Sequence, residues 1–364
     1  NNTAIGDNSL KLSTTATDNV AVGRNSMCTN TTGASNVGVG ASVMQLNTTG
    51  ASNTAIGGNS TLFSNTSGSN NTAIGTLALL SNTTANSNTA LGYIALCANT
   101  TGQCNVAIGA DSLDSNTTGS GNVAIGADSL QGNTTGFSNV SIGEDSMKTN
   151  STAACNVAIG AAALCTNSTG HSNVAIGYTA LLCQTTANNN VAVGFASGRK
   201  TTDGAGNTTV GTNAGCNITT GDNNAVFGDI AGTDAVFNLS THSNNIVIGN
   251  NSSQSAYIKI DWTVTSDLRD KTEIKDVTHG LDFINQITPI EYKFKKSRED
   301  DTPTGFTKYG FKAQEILELE GENPVIINNQ DSDNLKLTGA HLIPVLVNAI
   351  KELKAEIDEL KKGS

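Results

Sequence analysis

Residues 265–271, with the sequence TSDLRDK, are the part of this chain best suited to chemistry. A serine hydroxyl becomes a nucleophile when a neighbouring base takes its proton, and a neutral lysine amine can be that base. Ser266 and Lys271 lie too far apart in an extended chain, so the backbone must turn between them. Because the stretch lies at a break in composition, it suggests a self-cleaving junction. The same spacing also fits an ordinary surface turn, so the flanking elements must be considered.

The composition changes near residue 260. Residues 1–265 contain 6 Lys and Arg and 12 Asp and Glu. The shorter part, residues 266–364, contains 14 Lys and Arg, 19 Asp and Glu, and all four prolines. Low charge with abundant Gly, Asn, Ser and Thr can mean disorder, so the first part needs positive evidence of folding. Both parts are acidic, so we expect no nucleic-acid partner. Without a run of 18 apolar residues, we expect no membrane insertion.

The chain begins within a repeat and without Met, which we interpret as a trimmed fragment without a visible signal peptide. Its seven cysteines are odd in number and form no CxxC pair. A zinc site or a ladder of disulfides is therefore not expected, and we expect neither a metal nor any other cofactor. The cysteines are interpreted as small buried thiols.

A glycine-terminated string repeats through the first part. Fifteen copies of Asn-x-x-x-Gly, most of them N-[TV]-A-[IV]-G, follow at steps of 17 residues, except for one step of 18 and one of 21. So many copies in register predict a repetitive fold rather than low-complexity sequence. The glycines are Gly6, Gly23, Gly40, Gly57, Gly75, Gly92, Gly109, Gly126, Gly143, Gly160, Gly177, Gly194, Gly211, Gly228 and Gly249.

Within a copy, apolar alternation predicts a strand, with Val123 and Ile125 on one face and Ala124 on the other. Leu or Met four residues after most of the glycines predicts a second short strand, and Asn-Thr-Thr-Gly a corner. Stacked in parallel, such rungs form a mainly β fold, a β-solenoid over residues 1–250, without proline because each rung must donate its N–H groups. The asparagines would form a side-chain ladder. The Ala face would pack against another chain, giving a trimeric rod.

Other interpretations of the repeat remain open. The Asn-Thr-Thr strings match N-glycosylation sequons, but stacked turns explain them equally well. Regular threonines occur in ice-binding solenoids, although here they lie in turns. The repeats resemble the head repeats of trimeric autotransporter adhesins and the solenoid shafts of phage tail fibres. The sequon asparagines considered are Asn47, Asn82, Asn99, Asn116 and Asn133.

Beyond the repeat, the sequence predicts a small α/β domain. The segment 256–262 reads as a strand, with Trp262 covering the end of the solenoid. Residues 281–287 predict a helix that ends before Pro289, 291–295 a strand and 311–319 a short amphipathic helix. A last helix, 344–362, carries a heptad seam that implies an oligomer. The seam consists of Leu346, Ile350, Leu353, Ile357 and Leu360.

A series of motifs from Ser266 onward resembles the intramolecular chaperone domain of phage endosialidases and tail fibres. The resemblance covers residues 266–364 in order and spacing. It rests on Ser266-Asp267-x-Arg269-x-Lys271-x-x-Ile274, on GLDFINQI at 280–287 and PIEYKF at 289–294, and on YGFKAQEI at 309–316, NPV at 323–325 and LIPVLV at 342–347.

The resemblance implies a function for the junction, 251–265, and for the domain that follows. Such domains trimerise, help the preceding β-structure to fold and then cleave themselves before the motif serine. In this chain the scissile bond would be Thr265–Ser266, with Ser266 Oγ attacking the Thr265 carbonyl and water hydrolysing the resulting ester. A partly buried, neutral Lys271 would be the base. Asp267 and Arg269 match the motif, and we interpret them as a structural ion pair first and as catalytic support second.

These features favour a structural fibre or spike segment of a virion, folded in the host cytoplasm. Its partners would be two further copies of itself, other tail proteins and a host receptor, possibly a glycan. The alternatives are a bacterial adhesin head and a glycan-degrading tailspike, which needs paired carboxylates. A metazoan membrane-tethered transcription factor with this domain would need a basic region, which is absent. The acids considered, all scattered, are Asp111, Asp114, Asp128, Glu144 and Asp145.

Overall fold

The computed structural model describes residues 1–233, 238–250, 252–253, 266–295, 298–329, 332 and 335–363. The chain divides into two compact units, Asn1–Asn251 and Ser252–Ser364. The strand predicted over 256–262, with Trp262, lies outside the described residues, and so does Thr265.

The first unit is a parallel β-solenoid, as the repeat predicts. Within the described residues it holds a 15-stranded sheet in which each strand pairs with the one before and the one after it. Parallel pairing aligns equivalent repeat positions, as in Val123 with Val140. The strands are β1 Thr3–Ile5, β2 Val20–Val22, β3 Val37–Val39, β4 Thr54–Ile56, β5 Thr72–Ile74, β6 Thr89–Leu91, β7 Val106–Ile108, β8 Val123–Ile125, β9 Val140–Ile142, β10 Val157–Ile159, β11 Val174–Ile176, β12 Val191–Val193, β13 Thr208–Val210, β14 Ala225–Phe227 and β15 Ile246–Ile248.

The two irregular steps in the repeat leave the strand register intact. Thr54 pairs with Thr72 across the step of 18 residues, and Ala225 pairs with Ile246 across the step of 21. The additional residues are therefore accommodated in the turns, where an insertion does not reverse the faces of the strand.

The prediction of a second strand in each rung is wrong. In the described part of the solenoid each rung carries one three-residue strand, and the second apolar position lies in a turn. The backbone there is left-handed, with φ 53° at Leu113 and 46° at Met147, which no strand residue adopts. Leu or Met occupies this position in most rungs. Their side chains are fully buried and form the core of the solenoid.

The assignment of the strand faces is also wrong. From β2 onward, wherever alanine is the central residue of a strand it is completely buried inside the solenoid, as at Ala124, whereas the neighbours Val123 and Ile125 are only partly buried. The interior of the rung already holds the Leu or Met side chain, so only a small residue fits beside it. The Ala face cannot therefore pack against another chain. The outward face is formed by Val, Thr, Ile and Leu instead.

The predicted asparagine ladder is confirmed. The Asn122 Oδ1 accepts hydrogen bonds from the backbone N–H of Asn139 at 3.0 Å and from its side-chain amide at 3.1 Å. The Asn122 Nδ2 donates to the Gly136 carbonyl at 2.9 Å. The same arrangement recurs from rung to rung, so each buried amide satisfies backbone groups of its neighbour.

A second ladder, not predicted, runs through the asparagines of the Asn-Thr-Thr turns. The Asn116 Nδ2 donates to Asn99 Oδ1 at 2.9 Å and to the Gly119 carbonyl at 3.0 Å. All five sequon asparagines considered are 0% exposed. Since the amide nitrogen is both buried and committed to two acceptors, the folded solenoid offers none of these five as an acceptor for glycan.

The core changes composition in the last rungs. Glycine replaces Leu at the left-handed position, with φ 59° at Gly198 and 58° at Gly215. In the rungs of Gly215 and Gly232 the space is filled from the position of the second ladder, where Ile218 and Leu239 replace asparagine and pack with Val226. The second ladder is therefore replaced by an apolar cluster in the last rungs, whereas the first ladder continues to Asn245.

The cysteines are less buried than predicted. All seven, which lie within the described residues, are free, and Cys104 and Cys155 are exposed. The others are partly buried, and burial raises the pKa of the Cys97 and Cys216 thiols. A raised thiol pKa keeps the protonated and unreactive form at neutral pH.

The second unit contains three helices and two small antiparallel sheets in its described residues. Its core is formed by Phe283, Ile287, Ile316, Ile326, Ile327, Leu342 and Val345. The elements are α1 Leu281–Gln286, β16 Ile290–Lys295, β17 Pro303–Gly310, α2 Ala313–Glu320, β18 Ile327–Asn328, β19 Lys336–Leu337 and α3 Leu342–Lys362, with 3-10 turns at Leu268–Asp270 and Gly339–His341. The predicted elements are present, but α2 begins two residues later and α3 two residues earlier than predicted.

Helix α3 has two different faces. Leu342, Val345 and Ala349 are buried against the unit's own core. The predicted seam is exposed in the single chain, from 41% at Ile357 to 75% at Leu360. Among the described residues, no helix is both long and apolar enough to cross a membrane.

The amide ladder makes a testable contribution to stability. Replacing Asn122 by Ala would leave buried donors and acceptors of two rungs unpaired, at about 1–3 kcal/mol for each unsatisfied group. We expect Asn122→Ala to lower the free energy of unfolding of the full chain by about 3 kcal/mol, measured by circular dichroism in denaturant. The control is Thr118→Ala at an exposed turn position. Equal stability of the two variants would contradict a structural role for the ladder.

Candidate functional site

Ser266 and Lys271 are in direct contact in the structure. The Lys271 Nζ donates a hydrogen bond to Ser266 Oγ at 2.8 Å and a second to the Ser266 carbonyl oxygen at 3.1 Å. The five-residue spacing, which is too long in an extended chain, is therefore closed by a turn. The amine lies where it could receive the serine proton, which is the geometry that a serine–lysine pair requires.

The turn that brings the two side chains together is a single 3-10 turn, Leu268–Asp270. Asp267 caps its start, since its Oδ1 accepts a hydrogen bond from the Arg269 N–H at 2.9 Å. At its end the Lys271 N–H donates to the Leu268 carbonyl at 3.2 Å. Aspartate is among the residues that suit this capping position, so the local sequence itself specifies the reversal of the chain.

Asp267 and Arg269 form an ion pair across the turn. The Arg269 Nη2 lies 2.6 Å from Asp267 Oδ2, and its Nε donates to Oδ1 at 3.1 Å. The side-chain hydrogen bond from Arg269 holds the pKa of the Asp267 carboxyl below its ordinary value. Both groups are at the surface, so the pair shapes the turn more than it adds stability. In this structure Arg269 is therefore directed at Asp267 rather than at the Ser266–Lys271 pair.

The site is open to solvent in the single chain. Ser266 and Lys271 are exposed, as are the residues between them. The partial burial predicted for Lys271 is therefore not observed, since its side chain is exposed. Thr265, whose carbonyl carbon is the predicted target of Ser266, lies outside the described residues.

Sequence analysis missed two residues that hold the segment following the turn. Asn348 and Glu352 on α3 hydrogen-bond to the backbone of residues 277–281. The sequence signal is that both are polar and lie one helical turn apart on the side of α3 away from the apolar seam. Polar residues are common on the outer side of coiled-coil helices, so the pattern did not distinguish them.

Two of the acids considered for glycoside cleavage are paired with a lysine. Asp128 and Asp145 both bind Lys148, at 3.0 and 2.7 Å. Asp114 is partly buried, and burial raises the pKa of its carboxyl, with a further contribution from Asp111. In the described part of the chain, no three His, Cys, Asp or Glu side chains are grouped so as to hold a metal ion.

The turn should depend on pH through Asp267. Because the folded pKa of Asp267 is lowered, its contribution is present above the ordinary carboxyl pKa and is lost as the pH falls through the lower, folded value. In NMR titrations we expect the Lys271 and Arg269 resonances to change together at that low pH. They should not do so in Asp267→Ala. Arg269→Ala keeps the hydrogen bond from the backbone N–H of residue 269 to Asp267, so it should perturb the turn less than Asp267→Ala does. Equal perturbation by the two variants would contradict a capping role for Asp267.

One family model matches the chain. Residues 266–323 match the family described as chaperone of endosialidase, so the match begins at Ser266 itself and ends before the last part, 324–364, of the region over which the motifs were expected to continue. No curated protein matches significantly, and no solved structure matches significantly either. The chain therefore carries a chaperone of endosialidase domain at its C-terminal side, behind a β-solenoid, an arrangement consistent with a tailspike or fibre that has a C-terminal chaperone.

Proposed function

We propose that this chain is a segment of a trimeric viral fibre or tailspike whose chaperone domain assembles three copies, guides the solenoid into register and then releases itself by cleavage between Thr265 and Ser266. The 2.8 Å contact between Lys271 Nζ and Ser266 Oγ, at the first residue of the matched domain, carries the proposal. A surface turn without chemistry does not need this pair of groups in contact.

The chemistry is an acyl shift followed by hydrolysis. Neutral Lys271 takes the proton of Ser266 Oγ, and the oxygen attacks the Thr265 carbonyl carbon. The bond from that carbon to the Ser266 nitrogen breaks, the nitrogen takes the proton from Lys271, and an ester joins Thr265 to Ser266 Oγ. Water then hydrolyses the ester, so the products are a chain ending in the Thr265 carboxylate and one beginning with the Ser266 amine.

Trimer formation is supported by two exposed apolar surfaces, one in each unit. The seam of α3 leaves Ile350 65% exposed and Leu353 45% exposed, which is unfavourable for an isolated helix in water. In the solenoid, the outward strand face leaves residues such as Ile159 and Ile176 37% exposed along the sheet. Packing of the outward Val and Ile face, rather than of the Ala face, would bring three solenoids together.

A chaperone is useful here because the solenoid consists of long-range parallel contacts. Each rung pairs with a segment about 17 residues away, so chain entropy is lost before contacts compensate for it. The repeats are nearly identical, so many registers compete. A C-terminal trimer would align three chains, and its removal would leave a shaft that unfolds only slowly.

Receptor binding would use the solenoid surface. Tyr178 and Phe195 lie on successive rungs with ring centroids 5.4 Å apart and are 55% and 52% exposed. Exposed aromatic rings offer an apolar surface for the face of a sugar or for an aromatic side chain. This pair supports a host surface glycan as the receptor. In this proposal the protein belongs to the virion and is attached there to other tail proteins.

Self-cleavage can be tested on the full chain with denaturing electrophoresis and mass spectrometry. We expect wild type to yield fragments ending at Thr265 and beginning at Ser266, whereas Ser266→Ala and Lys271→Met stay whole. Ser115→Ala, a change in the solenoid, is the matched control and should cleave normally. Wild-type protein that stays intact after folding would refute the cleavage.

Assembly can be tested separately in the uncleavable Ser266→Ala background. Replacing Ile350 and Leu353 by Asp puts charge on the α3 seam, so we expect sedimentation to change from trimer to monomer. The control, Lys351→Asp with Lys354→Asp, adds the same acids next to the seam. A monomeric Ser266→Ala chain would argue against the trimer altogether.

A further inference from the structure

The segment that leads from the Ser266–Lys271 pair into the core is attached to helix α3 by two side chains. The Asn348 Nδ2 donates to the His279 carbonyl at 3.0 Å, with the Val277 carbonyl at 3.4 Å. The Glu352 Oε2 accepts from the Leu281 N–H at 2.6 Å. These contacts span 69–71 positions of sequence, so they join the first described part of the unit to its last helix.

The attachment is built rather than incidental. The Asn348 amide also donates to Glu352 Oε1 at 3.1 Å, so each side chain orients the other. Glu352 caps the start of α1, where Gly280 offers no side chain to do so. A Cβ at Gly280 would collide with the Glu352 carboxylate, so glycine permits this approach. Next to it His279 stacks on the buried Phe283, with ring centroids 4.2 Å apart.

The side chains of residues 266–278 are exposed in the single chain. Lys271 lies six residues before Val277, the first residue bound by Asn348. The orientation of the reactive pair relative to the core therefore depends on where this short segment is held. Displacement of a reacting group by about 1 Å can slow a reaction by about 100-fold.

The two side chains do not lie on the oligomerisation seam. At about 100° per residue, Asn348 and Glu352 lie about 200° and 240° around the helix from Leu346. The seam faces a partner, and the opposite side of the same helix holds the segment behind the reactive pair. Helix association and placement of the segment are thus properties of one rigid element.

We propose that Asn348 and Glu352 are positioning residues for self-cleavage, which connect association of α3 with the placement of Ser266 and Lys271. This inference rests on the proposed cleavage. It assigns Asn348 and Glu352 to the rate of cleavage rather than to assembly, since neither contacts the reacting atoms and neither lies on the seam.

The test compares the rate of cleavage with the oligomeric state in full-length chains refolded from denaturant. We expect Asn348→Ala and Glu352→Ala to sediment as wild type but to cleave about 10- to 100-fold more slowly. Glu352→Gln retains an acceptor for the Leu281 N–H, so it should restore much of the rate. Asn348→Asp has lost its donors and should not. The matched control is Glu356→Ala, one turn further along the exposed helix, which should cleave normally.

A second variant changes the residue against which the Glu352 carboxylate packs. Gly280→Ala leaves α3 unchanged but displaces the Glu352 carboxylate, so it should slow cleavage to a similar extent. Trimeric variants that cleave at the wild-type rate would overturn the inference while leaving the proposed cleavage intact. Loss of the trimer in all of the variants would instead assign the pair to assembly and also overturn it. Wild type that does not cleave would overturn both proposals.

Discussion

The buried amide ladders are the constraint on which the solenoid depends. A rung of about 17 residues encloses little apolar volume, and its corners bury backbone groups that have no partner within the rung. Asparagine side chains supply those partners in two ladders, which converge on one backbone carbonyl in each rung, as at Gly136, and which connect successive rungs. Such a network is favourable only when every member is satisfied. A rung that is out of register leaves buried polar groups unpaired in two places.

This dependence on register explains several features of the repeat. An additional residue is accepted in a turn, as between β4 and β5, but the position of the asparagine relative to the strand does not change. The left-handed core position holds Leu, Met or Gly. Where Gly215 and Gly232 replace Leu, Ile218 and Leu239 from the position of the second ladder keep the core filled. The repeat therefore tolerates changes that preserve filled space and paired amides.

The second unit shows a different relation between sequence and geometry. The turn at Leu268–Asp270 is local, because Asp267 caps it and Lys271 closes it. Contacts between residues no more than five positions apart account for the approach of Ser266 to Lys271. The placement of that turn is not determined locally. The segment that follows it is held at His279 and Leu281 by Asn348 and Glu352 on the last helix. The Ser266–Lys271 pair, the helix seam and the outward strand face are all exposed in the single chain. In an assembled trimer the same surfaces would be covered by other copies.

Much of this protein could be read from the sequence alone. The spacing of the glycines determined the parallel stack, the asparagine at each fourth preceding position determined a ladder, and the apolar periods determined the helices of the second unit to within two residues. These properties repeat along the chain or act over one turn, so local chemistry is sufficient. Only the tertiary structure showed that alanine faces inward, that Leu and Met lie in left-handed turns, and that the sequon asparagines are buried. Those outcomes depend on how much space the closed rung leaves in its interior. The alternation of residues along a strand cannot predict them, because it is the same whichever face points inward. The role of Asn348 and Glu352 likewise required the fold, because their partners lie about 70 residues away in the chain.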